Sequence, residues 1–215
     1  MKLSLVQTAL SGLLLSHVLL AEVPERSYAG QTLMVPEAQL DEGFVYYTQP
    51  GEDTQLVLHA ETELQNLNFL HSRIIGYLLI PFEVEAEAEP ILAGGFRIPV
   101  ESFRTSVDAP RQADLVLSGP GFLDSETHPE ITFEITRVFD VNLESESENR
   151  RVYTLKVAGP LVIKDKTKEI TLSATLKLLP STRETMSRNV GDIATLKSSL
   201  TLSAADFGWE ASPYM

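Results

Sequence analysis

Residues 153–178 read YTLKVAGPLVIKDKTKEITLSATLKL. Tyr153, Leu155 and Val157 alternate with Thr154 and Lys156. Beyond the turn signal Lys164-Asp165-Lys166, Ile170, Leu172, Ala174, Leu176 and Leu178 alternate with Thr171, Ser173, Thr175 and Lys177. A period of two turns one set of side chains toward an apolar interior and the other toward water. Two such runs around a short polar turn predict an antiparallel hairpin. The same alternation recurs outward from this stretch. It runs through Leu56, Leu58 and Ala60, and through Ile131, Phe133 and Ile135. It returns at Leu196, Leu200 and Leu202, with Ser198 among them. It also predicts one long strand in which Leu78, Ile80, Phe82, Val84, Ala86 and Ala88 face inward while Glu83, Glu85 and Glu87 face water. Pro81 predicts an edge or a bulge in that strand. Turn signals separate the runs at Ala93-Gly94-Gly95, Ser118 to Gly121, Glu144 to Arg151, Gly159-Pro160 and Asn189 to Asp192. One short helix is expected from Asp108 to Leu117, with Asp108 as N-cap and Pro110 in the first turn. About eight strands with hairpin links predict an all-β sandwich or closed barrel. An eight-stranded barrel is just wide enough to be filled or to hold one slender ligand.

The chain has 215 residues, enough for one sizeable domain or two small ones. Lys and Arg number 17 and Asp and Glu 30, a formal net charge of −13. That balance excludes a nucleic-acid partner, since phosphate binding needs a positive footprint. The absence of cysteine excludes disulfides, thiolate nucleophiles and Cys-ligated zinc. Met1-Lys2 precedes an apolar stretch that runs to Ala21, and Glu22 opens a charged region. This is the layout of a secretory signal peptide over 1–21, cut after Ala21, with Leu19 a bulky residue at the −3 position. A lead-in follows over 22–53, punctuated by Pro24, Gly30, Pro36, Gly43 and Pro50, where only Phe44 to Tyr47 hints at a strand. The β-barrel domain is expected over 54–210. The expected location is outside the cytoplasm, periplasmic or extracellular.

No nucleophile elbow, P-loop, zinc-protease helix or calcium loop occurs in the sequence. His59 and Glu61 share one strand face, but a metal site needs a third convergent ligand, and surface positions are the simpler reading. Asp114 and Asp124 lie between strands, where sites often occur, and turn capping is their plainer role. Asp206-Phe207-Gly208 matches a kinase tripeptide without any of its companion motifs. The expectation is a binding protein: no enzyme, no metal and no cofactor.

Several short motifs occur in the order found in the YceI-like family of exported lipid-binding proteins. Gly-Phe-Arg-Ile-Pro-Val at 95–100 is followed by Ser102 to Thr105, Ala113-Asp114-Leu115, Gly121-Phe122-Leu123-Asp124 and Pro129-Glu130-Ile131-Thr132-Phe133. The hairpin over Tyr153 to Leu172 and the closing Asp206-Phe207-Gly208 resemble the family's own, and Gly76 and His59 fall where it places a glycine and a histidine. Ala113, Pro160, Val162, Asp165 and Ala205 depart from the pattern, and bear on head-group preference more than on fold. The resemblance implies an eight-stranded antiparallel lipocalin-like β-barrel with one or two short helices. It also implies a long apolar channel for a polyisoprenoid or the tail of an isoprenoid quinone. The expected partner is a long-chain isoprenoid or other amphiphilic lipid, and a polyprenyl lipid or quinone is the expected guest. The walls are expected from Leu78, Ile80, Phe82, Phe122, Ile131, Phe133, Ile135, Leu155, Val157, Leu172, Leu176 and Leu200. The competing expectation is an exported stress-response or interaction domain with a filled barrel and no ligand.

Overall fold

The computed structural model describes residues 2–6, 33, 35, 37–48, 56–61, 66–71, 74–84, 89–105, 118–181 and 191–208. The strands in chain order are β1 (Lys2–Val6), β2 (Gly43–Tyr47), β3 (Leu56–Glu61), β4 (Asn66–His71), β5 (Ile75–Pro81) and β6 (Ala93–Pro99). They continue as β7 (Arg104–Thr105), β8 (Glu130–Ile135), β9 (Arg137–Ser147), β10 (Arg150–Ile163), β11 (Lys166–Leu179) and β12 (Ile193–Ser203). All pair antiparallel in one sheet, in the order β2-β5-β6-β8-β10-β11-β12-β1-β3-β4-β7, with β9 lying on β10 beside that path. The all-β antiparallel class is as expected. The pairing path ends at β2 and β7, so ring closure is not among the described strand pairs.

The hairpin that opened the reading is the longest unit, β10 on β11 in register from Arg151↔Leu178 to Ile163↔Lys166. Its apolar positions point inward as the alternation requires: Tyr153, Leu155, Val157, Leu172, Ala174 and Leu176 are buried, with Thr171 and Ser173 exposed. On its far edge β10 takes two strands in succession. Its first half pairs with β9, and Leu161 and Val162 pair with β8. The exchange occurs at Thr136, whose backbone N–H donates to the Ala158 carbonyl at 2.9 Å and whose Oγ1 also donates to it at 3.2 Å. The backbones approach so closely here that a Cβ on Gly159 would drive into the Glu134 carbonyl. Only glycine fits.

β9 carries two bulges. Between Tyr153↔Leu143 and Val152↔Ser145 it holds one extra residue, and another between Thr154↔Asn142 and Lys156↔Phe139. Asp140, at the second, has φ 52°, a left-handed conformation that aspartate tolerates better than most residues. Each extra residue shifts which side chains look inward. Val138 is buried, Val141 and Leu143 pack on the core, and Glu146 comes opposite Arg151.

Three sequence expectations change in the structure. The strand expected to run through Ala88 ends at Pro81, which has no N–H to extend the ladder. The turn expected over Glu144 to Arg151 contracts to Glu148-Asn149, because bulged β9 has no clean period and reads as loop. The lead-in supplies β2, paired with β5 from Gly43↔Pro81 to Tyr47↔Tyr77, so the sheet begins before residue 54. Lys2–Val6, at the head of the expected signal peptide, pairs with β12 on one edge and β3 on the other. The helix expected over Asp108 to Leu117 lies outside the described residues.

The register gives the core two ends. At the lower end the Lys164-Asp165 turn lies by the 118–128 loop, where Lys164 Nζ donates to the Pro120 carbonyl at 3.2 Å. Phe122, Leu123 and Phe207 fill that end and are almost fully buried. Asp206 is ion-paired with Lys168, which holds the turn carrying Phe207 against β11. At the upper end lie Pro81, the Glu148-Asn149 turn and Leu179. Replacing Gly159 with Ala is expected to cost about 2 kcal/mol or more in urea unfolding, through forced separation of β8 from β10. A Cβ on Gly121 meets nothing within 4 Å, so Gly121→Ala is expected to stay within about 0.5 kcal/mol of the parent.

Candidate functional site

The upper end of the core is hollow. A cavity of about 600 Å³ opens there. β2 supplies Phe44 and Tyr46, β5 and the segment after it supply Ile80, Phe82 and Val84, and β11 supplies Leu178 and Leu179. Each of these side chains follows from a pairing already described. Phe44 stands opposite Ile80, and Tyr46 opposite Leu78. The rim is polar: Glu146, Glu148, Arg150, Arg151 and Asp192. Below the cavity the wall closes. Leu78, Tyr153 and Leu176, one step deeper than Ile80, Arg151 and Leu178 on their strands, have 0% exposure, which leaves no water-sized gap beside them. Among the described residues these three form the floor of the chamber.

The expected wall residues divide accordingly. Leu78, Ile80, Phe122, Ile131, Ile135, Leu155, Val157, Leu172 and Leu176 are buried in one continuous core, and Phe133 and Leu200 pack against it. Of the whole set, Ile80 and Phe82 line the chamber. Phe82 was expected to be buried in a wall, yet it is 42% exposed. The strand that would have turned it inward stops one residue earlier. Its ring instead meets Phe44 edge-on, with centroids 4.7 Å apart, an aromatic pair at the cavity rim. The chamber residues missing from that set come from two places. Phe44 and Tyr46 lie in the proline-punctuated lead-in, and Glu146 and Arg151 in the stretch read as a turn.

Arg151 joins three elements at the rim. Its Nη1 donates to the Val84 carbonyl at 3.1 Å and its Nε to Glu146 Oε1 at 2.7 Å. The pair with Glu146 is about half exposed, so its contribution to stability is small and its value is positional. Beneath Arg151 the Tyr153 hydroxyl is buried, with the Arg151 side chain as its polar neighbour. Burial pushes the Tyr153 phenol above its ordinary value of 10.0, with the nearby Arg151 pulling it back and Glu146 adding to the rise. Tyr46 is raised strongly, first by burial and then by Asp192. Asp192 itself accepts the Ser181 backbone N–H at 2.6 Å.

The residues considered for chemistry do not gather here. Asp124 has φ 53° in the 118–128 loop, where its carbonyl accepts the N–H groups of Thr127 and His128, a turn position at the lower end. Asp114 and the side chains of His59 and Glu61 lie outside the described residues. Among those described, no three His, Asp or Glu side chains stand together as metal ligands.

The motif positions have clear structural roles. Gly95–Pro99 lies on β6, Glu130–Phe133 on β8 beside it, and the Tyr153–Leu172 hairpin beyond. The YceI-like domain matches residues 79–214. The chain belongs to that family. The YceI-like match begins within β5, so β1 to β4 and the start of β5 stand before it. No curated protein matches the sequence. Among solved structures, the Campylobacter jejuni YceI protein is 14% identical, with a TM-score of 0.39 over 67% of this chain and 90% of its own. A mutant CJ YceI protein holding a monobromobimane guest is 16% identical, with a TM-score of 0.43 over 67% and 90%. Burkholderia cenocepacia BcnA is 17% identical, with a TM-score of 0.37 over 63% and 87%.

The raised tyrosines set an alkaline limit on this YceI-like fold. A phenol whose pKa is higher folded than unfolded contributes stability that is intact below pH of about 10 and is lost as pH rises toward the folded value. Urea midpoints measured across that range are expected to fall in the parent and to fall less steeply in Tyr46→Phe. Equal slopes would remove Tyr46 from the effect.

Proposed function

We propose that this YceI-like protein is an exported carrier that takes an amphiphile with an apolar tail, of the polyisoprenoid or isoprenoid-quinone kind, into the chamber at the upper end of its sheet. The observation that carries the reading is the chamber itself. Its volume of about 600 Å³ falls within the range of small-molecule sites, and its inner wall is aliphatic and aromatic with charge confined to the rim. That arrangement recognises a tail by burial and a head by a few polar contacts. Burial is worth about 0.8 kcal/mol per CH₂, so a five-carbon isoprene unit contributes about 3–4 kcal/mol before ordering costs. Two or three units already match the roughly 8 kcal/mol of micromolar binding. Family membership supports the reading, since the YceI-like fold is associated with binding apolar ligands and not with catalysis. Export rests on the N-terminal signal layout.

The rival reading, a filled module without ligand, draws on the packed layer of Leu78, Tyr153 and Leu176. The two separate by experiment. Native mass spectrometry of the purified protein is expected to show a lipid adduct, or to acquire one with added prenyl quinones of graded length. Affinity is expected to rise with tail length and level off once the chamber is full. Leu178→Trp, which fills the chamber from its half-buried wall, is expected to weaken binding about tenfold. A protein that stays lipid-free in the presence of every prenyl chain overturns the carrier in favour of the filled module. Intact mass of the exported form is expected to begin at Glu22, a cut that takes β1 out from between β12 and β3.

A further inference from the structure

β2 ends the pairing path, and among the described strand pairs β5 is its one neighbour. A short strand held along one edge is the part of a sheet that opens with least loss. Its inward residues Phe44 and Tyr46 form one wall of the chamber, so that wall moves wherever β2 moves. Its outward residues Val45 and Tyr47 pack in a second, smaller apolar cluster on the opposite face of the sheet. There Leu33, Val35 and Leu40, from the chain before β2, join Tyr77, Leu79 and Ala93. β2 therefore lies between a hollow on one side and a strap of its own chain on the other.

The two ends of β2 are held unequally. At the deep end Thr48 is 2% exposed. Its backbone N–H donates to the Gly76 carbonyl at 2.8 Å, and its Oγ1 accepts the Gly76 N–H at 2.8 Å. Two short bonds shielded from water are costly to break. At the mouth the backbone tie is longer, from the Phe82 N–H to the Glu42 carbonyl at 3.4 Å. Beside it stands the edge-on pair of Phe44 and the partly exposed Phe82. Phe82 is anchored in turn to β10, because Arg151 holds the Val84 carbonyl two residues further on. From this asymmetry we infer that β2 is a hinged flap on the chamber. It pivots at Thr48, its tip at Gly43 and Phe44 lifts away from Phe82, and the chamber opens along its side as well as at its mouth. The outer cluster supplies the return, since Leu40, Val45 and Tyr47 regain their contacts when the flap shuts. The inference rests on the carrier reading and deepens it by naming the route a guest takes.

Two measurements on the full protein test it. The first is native-state hydrogen exchange. The Phe44 N–H faces β5 as the Thr48 N–H does, by the two-residue alternation of the ladder. It is expected to exchange about tenfold faster than Thr48 while β10 and β11 stay protected. Equal protection at both ends of β2 overturns the flap. The second fastens the flap. Val45 stands directly opposite Leu79, on the face away from the chamber, and the chain has no cysteine of its own. Val45→Cys combined with Leu79→Cys places two thiols across the β2–β5 pair, where a disulfide ties the strands together. Uptake and release of the neutral dye N-phenyl-1-naphthylamine, followed by stopped-flow fluorescence, are expected to be about tenfold slower in the oxidised form than in the reduced form, with affinity nearly unchanged. Equal rates in the two forms overturn the flap. A dye that does not bind counts against the carrier reading, and the exchange gradient in the parent then decides the flap alone. It does so equally where the disulfide fails to form.

Discussion

The β10–β11 hairpin is the member on which the rest hangs. Its pairs run without interruption from Arg151↔Leu178 to Ile163↔Lys166, and it is central in the sheet, with β12 on one edge and both β8 and β9 on the other. Serving two strands from one edge is possible because the backbone is bare at Gly159, where β8 gives way to β9. The hairpin also sets the vertical order of the molecule. Positions near its turn meet Pro120 and Asp206, and positions near its open end meet the chamber. Binding chemistry and structural closure are thus two ends of the same pair of strands.

The upper end combines an apolar wall with a charged rim, and the division follows from strand pairing. Ile80 and Leu178 are the last inward apolar positions of β5 and β11 before the strands run out. Beyond them the chain turns and meets water, so charge collects there. Arg151 is the inward residue at the corresponding height on β10. It is tolerated there because Glu146 and the Val84 carbonyl answer it. Tyr153 marks the boundary, with a polar tip placed in apolar surroundings.

Much of this was legible in the amino-acid order. Where strands are regular, as in Tyr153 to Val157, Ile170 to Leu176 and Ile131 to Ile135, period-two alternation named the buried face correctly. It failed where the backbone departs from the simple pleat. β9 reads as loop because its two bulges break the period, and acids at Glu144, Glu146 and Glu148 look like a turn. Phe82 carried the right periodicity past a proline that had already ended the strand. Phe44 and Tyr46 were hidden by the prolines and glycines around them, since pairing with β5 is a long-range fact that local pattern does not hold. The chamber is built largely from these three exceptions, which is why the core was easier to read than the site.

The bulges of β9 have a consequence for how such chains diverge. Residue count between Phe139 and Ser145, rather than residue type, decides that Glu146 looks across at Arg151. Loss of one residue there would reverse inside and outside for the remainder of the strand, delivering a neighbouring serine to the mouth and sending the acid to the exterior. Relatives that differ by a single insertion or deletion in this short interval can therefore keep every column of an apparently good alignment and still present a different charge to whatever they carry.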